Sequence, residues 1–224
     1  MAEPVKSSRR YDSPRRREQA AATRRDILTA AQPLFERDGY AATTMAAIAA
    51  AAGVATKTVY VAYESKSGLL QALWNMLLRG DEDDAPVARR EWYRAVLDEP
   101  DPVRKLQFNA RNARTVKERA GALMAVIRSA APTEPDIDAL WERIQTDFHD
   151  NQRAIVERLH DAEALCPELD VARAADILWT LNHPDVWHLL VGRRGWSPAQ
   201  WEAWFAATSC AQLLRSPLPV DGSG

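Results

Sequence analysis

The chain has 224 residues, 46% of them hydrophobic and 27% charged, which is enough for a small domain joined to a larger one with its own core. Its net charge of −2 is unevenly divided, because residues 1–70 carry +4 and the remainder −6, as in a basic nucleic-acid-binding head on an acidic body. Two isolated cysteines, Cys166 and Cys210, exclude a disulfide framework and a zinc site. Because the sequence has no long apolar run and no signal peptide, we expect a cytoplasmic protein without membrane spans.

The first predicted helix begins at Ser13-Pro14, where a capping residue precedes a proline at the first helical position. Pro33 lies inside this helix and predicts a kink, and Gly39 predicts its end in a left-handed conformation. An apolar stripe with helical spacing supports the assignment, and it consists of Ile27, Leu28, Ala31, Leu34 and Phe35.

Two short helices around a glycine turn follow. Thr43 or Thr44 caps the first, residues 45–52, which is nearly all alanine and admits a close neighbour. Residues 53–55 form the turn and residues 56–63 the second helix. This pattern is typical of a helix-turn-helix, although a plain three-helix packing unit with solvated surface residues would share it. The side chains predicted to face outward include no acid and suit a polyanion; they are Thr56, Lys57, Thr58 and Tyr60.

This segment resembles the N-terminal domain of the TetR (tetracycline-repressor-like) family of bacterial transcription regulators. The matching positions keep the family's spacing without a gap over residues 27–69. They are Ile27, Leu28, Ala30, Ala31, Leu34, Phe35, Gly39, Tyr40, Thr43, Thr44, Ile48, Ala49, Ala52, Gly53, Val54, Thr58, Val59, Tyr60, Tyr63, Lys66 and Leu69.

The resemblance implies that the head binds double-stranded DNA. Thr43 or Thr44 would donate to a phosphate, and Lys66 would hold another. Val61 and Ala62 stand where many members carry an aromatic residue, histidine or arginine, so the base preference stays open. The resemblance also implies that Thr56 and Lys57 contact base edges and that the small Ala55 lets the DNA approach closely. Thr58 and Tyr60 would form hydrogen bonds with the DNA backbone.

Basic residues also precede the head. Those in residues 6–10 serve either as a flexible arm that reaches the DNA or as a solvated tail. Arg24 and Arg25 lie on the first helix already, and we expect them to contact phosphate.

Beyond residue 66 the pattern is helical without sustained strand alternation, so the predicted fold is all-α. Helices are predicted over about 66–80, 89–97, 102–130, 137–159, 170–193 with a kink at Pro184, and 197–215. The predicted domains are a basic flexible arm (1–13), a helix-turn-helix domain (14–66), a helical effector-binding and dimerisation domain (67–216) and a disordered tail (217–224).

The resemblance further implies a homodimer and an effector pocket. In the family the last two long helices pack against those of a second subunit, so Trp201, Trp204 and Phe205 are candidates for the dimer seam, or else for the core of their own chain. All eight tryptophans lie at or beyond Trp74. The candidate pocket residues, which would also suit a plain core, are Trp92, Trp141, Trp179 and His183.

The leading hypothesis is therefore a ligand-responsive repressor that binds a palindromic operator as a homodimer, with an unknown small-molecule effector and no cofactor or metal. The alternative is an architectural DNA-binding dimer without an effector. An enzyme is not expected, because the adjacent pairs His149-Asp150 and His160-Asp161 point to different sides of a helix and make no catalytic dyad.

Overall fold

The computed structural model describes residues 14–79 and 87–215, so the predicted arm, the cap at Ser13 and the predicted tail lie outside the described residues. The described part is helical and contains no strand, which confirms the all-α fold; an isolated bridge joins Leu165 and Leu214. It divides into a smaller and a larger compact unit between Leu73 and Trp74. The division falls inside a helix, later than the boundary expected at residue 66.

The smaller unit holds the helix-turn-helix. It consists of α1 (Pro14–Ala42), α2 (Met45–Ala51), α3 (Thr56–Tyr63) and the first part of α4 (Lys66–Arg79). Helices α2 and α3 agree with the predicted bounds to within one residue and are bent by 109°, an angle typical of this motif. Val59 and Tyr63 are buried, as the pattern predicted. No single described helix is long and apolar enough to cross a membrane, although α2 and α3 together have the length and composition of a bent span.

Gly39 breaks the helical path of α1. Its φ of 77° and ψ of 174° lie outside the helical region, whereas α1 continues through Pro33. The break lies at Gly39, the residue at which the sequence predicted the helix to end.

Replacing Gly39 with alanine is expected to lower the melting temperature by about 5 °C, because the dihedrals of Gly39 are accessible almost only to glycine and cost about 1–3 kcal/mol elsewhere. The surrounding space is open, so the penalty is conformational rather than a clash. Gly121→Ala is the control: Gly121 is helical, the added methyl would lie 3.9 Å from Trp187 Nε1, and no loss is expected. Equal melting temperatures for both variants would refute the strain at Gly39.

The larger unit is built from the rest of α4 and six further α-helices among the described residues. Three of these helices begin at a side-chain cap: Asp101 accepts from Arg104 N at 2.7 Å, Asp170 accepts from Arg173 N at 2.8 Å, and Ser197 forms a capping box with Gln200. The helices are α5 (Glu91–Asp98), α6 (Pro102–Ala130), α7 (Pro135–Asp161), α8 (Val171–Leu181), α9 (Pro184–Trp187) and α10 (Pro198–Leu213).

The segment predicted as one kinked helix, residues 170–193, is three elements. Helix α8 ends at Leu181, and His183 caps the new helix α9 by accepting the N–H of Asp185 at 3.2 Å. Pro184 then occupies the first helical position, where its missing N–H costs nothing. A π-helix (His188–Arg193) follows directly on α9. Pro184 therefore starts a helix rather than kinking one.

Helix α10 lies against α6 and α8 and supplies the core of this unit. Trp201 and Phe205 are both 0% exposed within the single chain, and their rings stack at a centroid distance of 5.0 Å. Of the two alternatives left open for Trp201 and Phe205, the structure favours the core of their own chain, because the i, i+4 face that they share is buried there. Trp204 is half-buried, packs on the same core and meets Trp196 edge to face.

Candidate functional site

The outer face of α3 presents the residues that the pattern placed there. Ala55, Thr56 and Lys57 are exposed, Tyr60 is 50% exposed and Thr58 is half-buried. Their direction follows from the buried positions Val59 and Tyr63, four residues apart, which hold the opposite face of α3 against the smaller unit. The surface thus combines hydroxyl groups, an ammonium and a phenol with no acid in the first turn.

The first turn of α3 is open to an acceptor. Its N-cap is Ala55, which has no side chain able to accept a hydrogen bond from the turn, and no such cap is formed. The N–H groups that begin a helix lack intrahelical partners and carry partial positive charge, so this end favours phosphate or base acceptors. In contrast, the start of α2 is closed by Thr44, whose Oγ1 accepts from Ala47 N at 3.1 Å.

The two threonines before α2 differ in environment. Thr43 is 2% exposed, and its hydroxyl donates to Gly39 O at 2.7 Å, with Leu34 O at 3.2 Å. Thr44 is exposed beside it. Thr43 therefore fastens the end of α1, and Thr44 is the member of the pair that a phosphate can reach.

Arg24 and Lys66 hold the helices of the smaller unit together. The Arg24 guanidinium donates to Ala62 O and lies 4.5 Å from the ring centroid of Tyr63, whose hydroxyl donates to Arg24 O at 2.7 Å. Lys66 Nζ donates to Tyr40 O at 2.8 Å and lies 4.1 Å from that ring. Sequence reasoning expected phosphate contacts from these cations and missed their role in fixing α1, α3 and α4. Arg25 is exposed on α1.

The larger unit contains a cavity of about 410 Å³. Trp92 lines it, whereas the other three predicted lining residues, Trp141, Trp179 and His183, do not. His183 caps α9, its Nε2 lies 2.9 Å from Gln145 Nε2, and Trp179 packs edge-on against its ring at 4.9 Å. Burial, helped by the charges of Lys117 and Arg128, lowers the pKa of His183. The aromatic lining that the sequence did not single out is Trp74, Tyr93 and Phe148.

Lys117 of α6 is a buried cation at this cavity. The residue is 7% exposed, and its Nζ donates to Asn182 Oδ1 at 2.5 Å. The ammonium also lies over the rings of Trp201 and Phe148, 4.8 and 5.7 Å from their centroids. Burial lowers the pKa of Lys117 from its ordinary value of 10.5 to about 7. Nothing in the sequence around Lys117 distinguished it from surface lysines.

Comparison with known proteins gives a consistent result. The family model described as "Bacterial regulatory proteins, tetR family" matches residues 27–73. Two regulators of Pseudomonas putida, "Probable HTH-type transcriptional regulator ArpR" and "HTH-type transcriptional regulator TtgR", are each 30% identical to this chain over 167 residues, which cover 72% of it and 77% of theirs.

Solved structures share the fold of the chain. The structure titled "SmeT-Triclosan complex" has a TM-score of 0.71 and 22% identity, covering 90% of this chain and 96% of its own. NalD, "the secondary repressor of MexAB-OprM multidrug efflux pump in Pseudomonas aeruginosa", has a TM-score of 0.68 and 21% identity, covering 89% and 100%.

Proposed function

Because the chain belongs to the tetR family of bacterial regulatory proteins, we propose that this DNA-binding regulator is a homodimeric repressor that leaves a palindromic operator when a small molecule occupies its cavity. The observation that carries the proposal is the outer face of α3. It combines Thr56, Lys57 and Tyr60 with an uncapped helix start and no acid. Such a helix can offer donors both to base edges and to phosphates in the major groove.

The cavity supports a response to a ligand. Its volume of about 410 Å³ lies within the range of roughly 300–1,000 Å³ that is usual for small-molecule sites. Among the structures with this fold, one is a complex with triclosan and one is named as a repressor. A homodimer fits because two identical heads read two half-sites related by two-fold symmetry, about one helical turn or a multiple of it apart.

The cavity also supports this proposal over its alternative, an architectural dimer, whose larger unit would have no need of a cavity. A catalytic function has little support. His149 Nε2 pairs with Asp176 Oδ1 at 3.0 Å, but both side chains are open to solvent, and such a pair suits a surface contact.

Selection of the purified protein against a random duplex library, repeated at two salt concentrations, tests the proposal. We expect enrichment of a palindrome and an affinity that falls linearly with salt on a double logarithmic plot, because phosphate contacts release counterions. Salt-sensitive binding without an enriched sequence would favour the architectural alternative. Absence of binding at low salt would refute DNA binding by this head.

The two threonines allow a finer test of the interface. Thr44→Val is expected to weaken binding to the selected duplex by about tenfold, because it removes a phosphate donor and the α2 cap. Thr43→Val is its matched control: it removes the buried hydroxyl that donates to Gly39 O, so it should lower the melting temperature and change the affinity less than about twofold. Fluorescence anisotropy and thermal melts measure the two effects. The reverse order of affinities would show that Thr43 reaches the DNA.

A further inference from the structure

Lys117 lacks an anion. Among the residues that the structure describes, no carboxylate oxygen pairs with its Nζ within 4.0 Å, and its one hydrogen-bond acceptor is the neutral amide oxygen of Asn182. Lysine is rarely buried without a partner, since an isolated charge loses its hydration. The position of Lys117 therefore calls for an explanation beyond the packing of α6.

Lys105, on the same helix, shows what a structural lysine looks like in this fold. Lys105 is also buried, but its Nζ donates to Val96 O at 2.9 Å and Leu97 O at 2.7 Å, two carbonyls in the last turn of α5. A cation at the C-terminal end of a helix stabilises that helix. Lys117 donates to no backbone carbonyl: its acceptor is the side-chain amide oxygen of Asn182, the residue that caps the C-terminal end of α8.

The cavity supplies the place for a partner. Lys117 belongs to its lining together with Gln145, one end of whose side-chain amide is buried without a hydrogen-bond partner, since His183 occupies only the other end. The aromatic side chains of Trp74, Trp92 and Phe148 line the same space and suit a planar apolar body. The lining thus joins a buried cation and an unused polar atom to an apolar wall.

The charged groups of the lining are unevenly exposed, and they include the half-buried Arg79 of α4. Asp147 and Asp150 also border the cavity, but both are exposed, so water screens their charges, while Lys117 is enclosed. A ligand with one negative group would place that group at Lys117 and away from the two carboxylates.

We propose that the cavity binds an aromatic monoanion, a carboxylate or similarly acidic group on a planar apolar body, with the anionic group held by Lys117. An ammonium has three donors, and a charge-assisted bond to a carboxylate is about twice as strong as a neutral one. Burial lowers the pKa of Lys117, and an anionic group beside it would raise that pKa again. The role of this ligand as the effector rests on the proposed function. Its binding at Lys117 does not depend on that function.

Isothermal titration calorimetry with biphenyl-4-carboxylate and the isosteric biphenyl-4-carboxamide tests the inference. Wild-type protein is expected to bind the carboxylate about tenfold or more tightly than the amide. Lys117→Met and Lys117→Gln should abolish or reverse that preference, the second variant keeping a polar partner for Asn182. Lys105→Met, the matched control, should retain the preference even though its fold is less stable.

Three results would overturn the proposal: equal or tighter binding of the amide by the wild type, an acid preference that survives in both Lys117 variants, or no binding of either compound. A second readout separates this inference from the proposed function. The carboxylate should release the selected duplex from the wild type and not from Lys117→Met. If the wild type binds no duplex, repression fails as the function, while the calorimetry still decides the role of Lys117.

Discussion

Replacing Lys57 and Tyr60 together with alanine is expected to weaken binding to the selected duplex by about 100-fold or more without a change in helical content. Each group that reaches a base or phosphate contributes about 1–3 kcal/mol, and two such losses combine to this size or beyond. Both side chains are exposed, on the face of α3 opposite to Val59 and Tyr63, so the fold does not depend on them. Loss of Lys57 should also reduce the dependence of affinity on salt.

The matched control for this variant is Val61→Ala. Val61 lies on the same helix and is 76% exposed, but it has no polar group to offer. We expect its affinity to stay within about threefold of wild type. Fluorescence anisotropy with the selected duplex and circular dichroism of the free protein provide the two measurements. Undiminished binding by the double variant would mean that α3 is not the recognition helix.

Lys117→Met is expected to raise the melting temperature by about 5 °C near pH 6, with a smaller gain near pH 9. The folded pKa of Lys117, about 7, lies below its ordinary value of 10.5. Between these values the unfolded chain binds more protons than the folded one, so wild-type stability rises with pH across this window. Below about pH 7 Lys117 is charged in both states, and burying this charge lowers the free energy of unfolding by its full amount. Methionine fills the same space without a charge, and the donor lost to Asn182 offsets only part of the gain.

Lys105→Met should behave in the opposite way, with a lower melting temperature at both pH values. It leaves the carbonyls of Val96 and Leu97 without their donor. Differential scanning calorimetry of the two variants and the wild type supplies the comparison. A fall in melting temperature for Lys117→Met would mean that Lys117 stabilises the fold. It would contradict the argument that the buried charge of Lys117 destabilises the folded protein. Such a cost is common where a residue serves binding.

The elements that local chemistry defines could be predicted from the sequence. Asp101, Asp170 and Ser197 cap helices because each has a short side chain that accepts a hydrogen bond from the first turn. Gly39 could be identified as a helix break for the same kind of reason, since its dihedrals favour glycine. The helix-turn-helix consists of such local signals set close together, which is why its bounds and the outward face of α3 were predictable.

Packing partners, cavity lining and burial depend on residues far away in the sequence, and they could not be predicted. An i, i+4 pair such as Trp201 and Phe205 has the same pattern whether it packs inside its chain or against a second one. Which tryptophans border the cavity depends on how α4, α5 and α7 meet α6, and this long-range packing leaves no mark in the spacing of Trp74 or Trp179. Lys117 gave no signal for the same reason, because its burial is produced by side chains from other helices.

The distribution of aromatic residues has a spectroscopic consequence. All eight tryptophans belong to the larger unit, and the described tyrosines of the smaller unit are Tyr40, Tyr60 and Tyr63. Indole emission therefore reports on the larger unit alone, whereas far-ultraviolet dichroism sums the helices of both. Coincident melting curves from the two signals would indicate one cooperative transition. Separate curves would give each unit its own midpoint without any label attached to the protein.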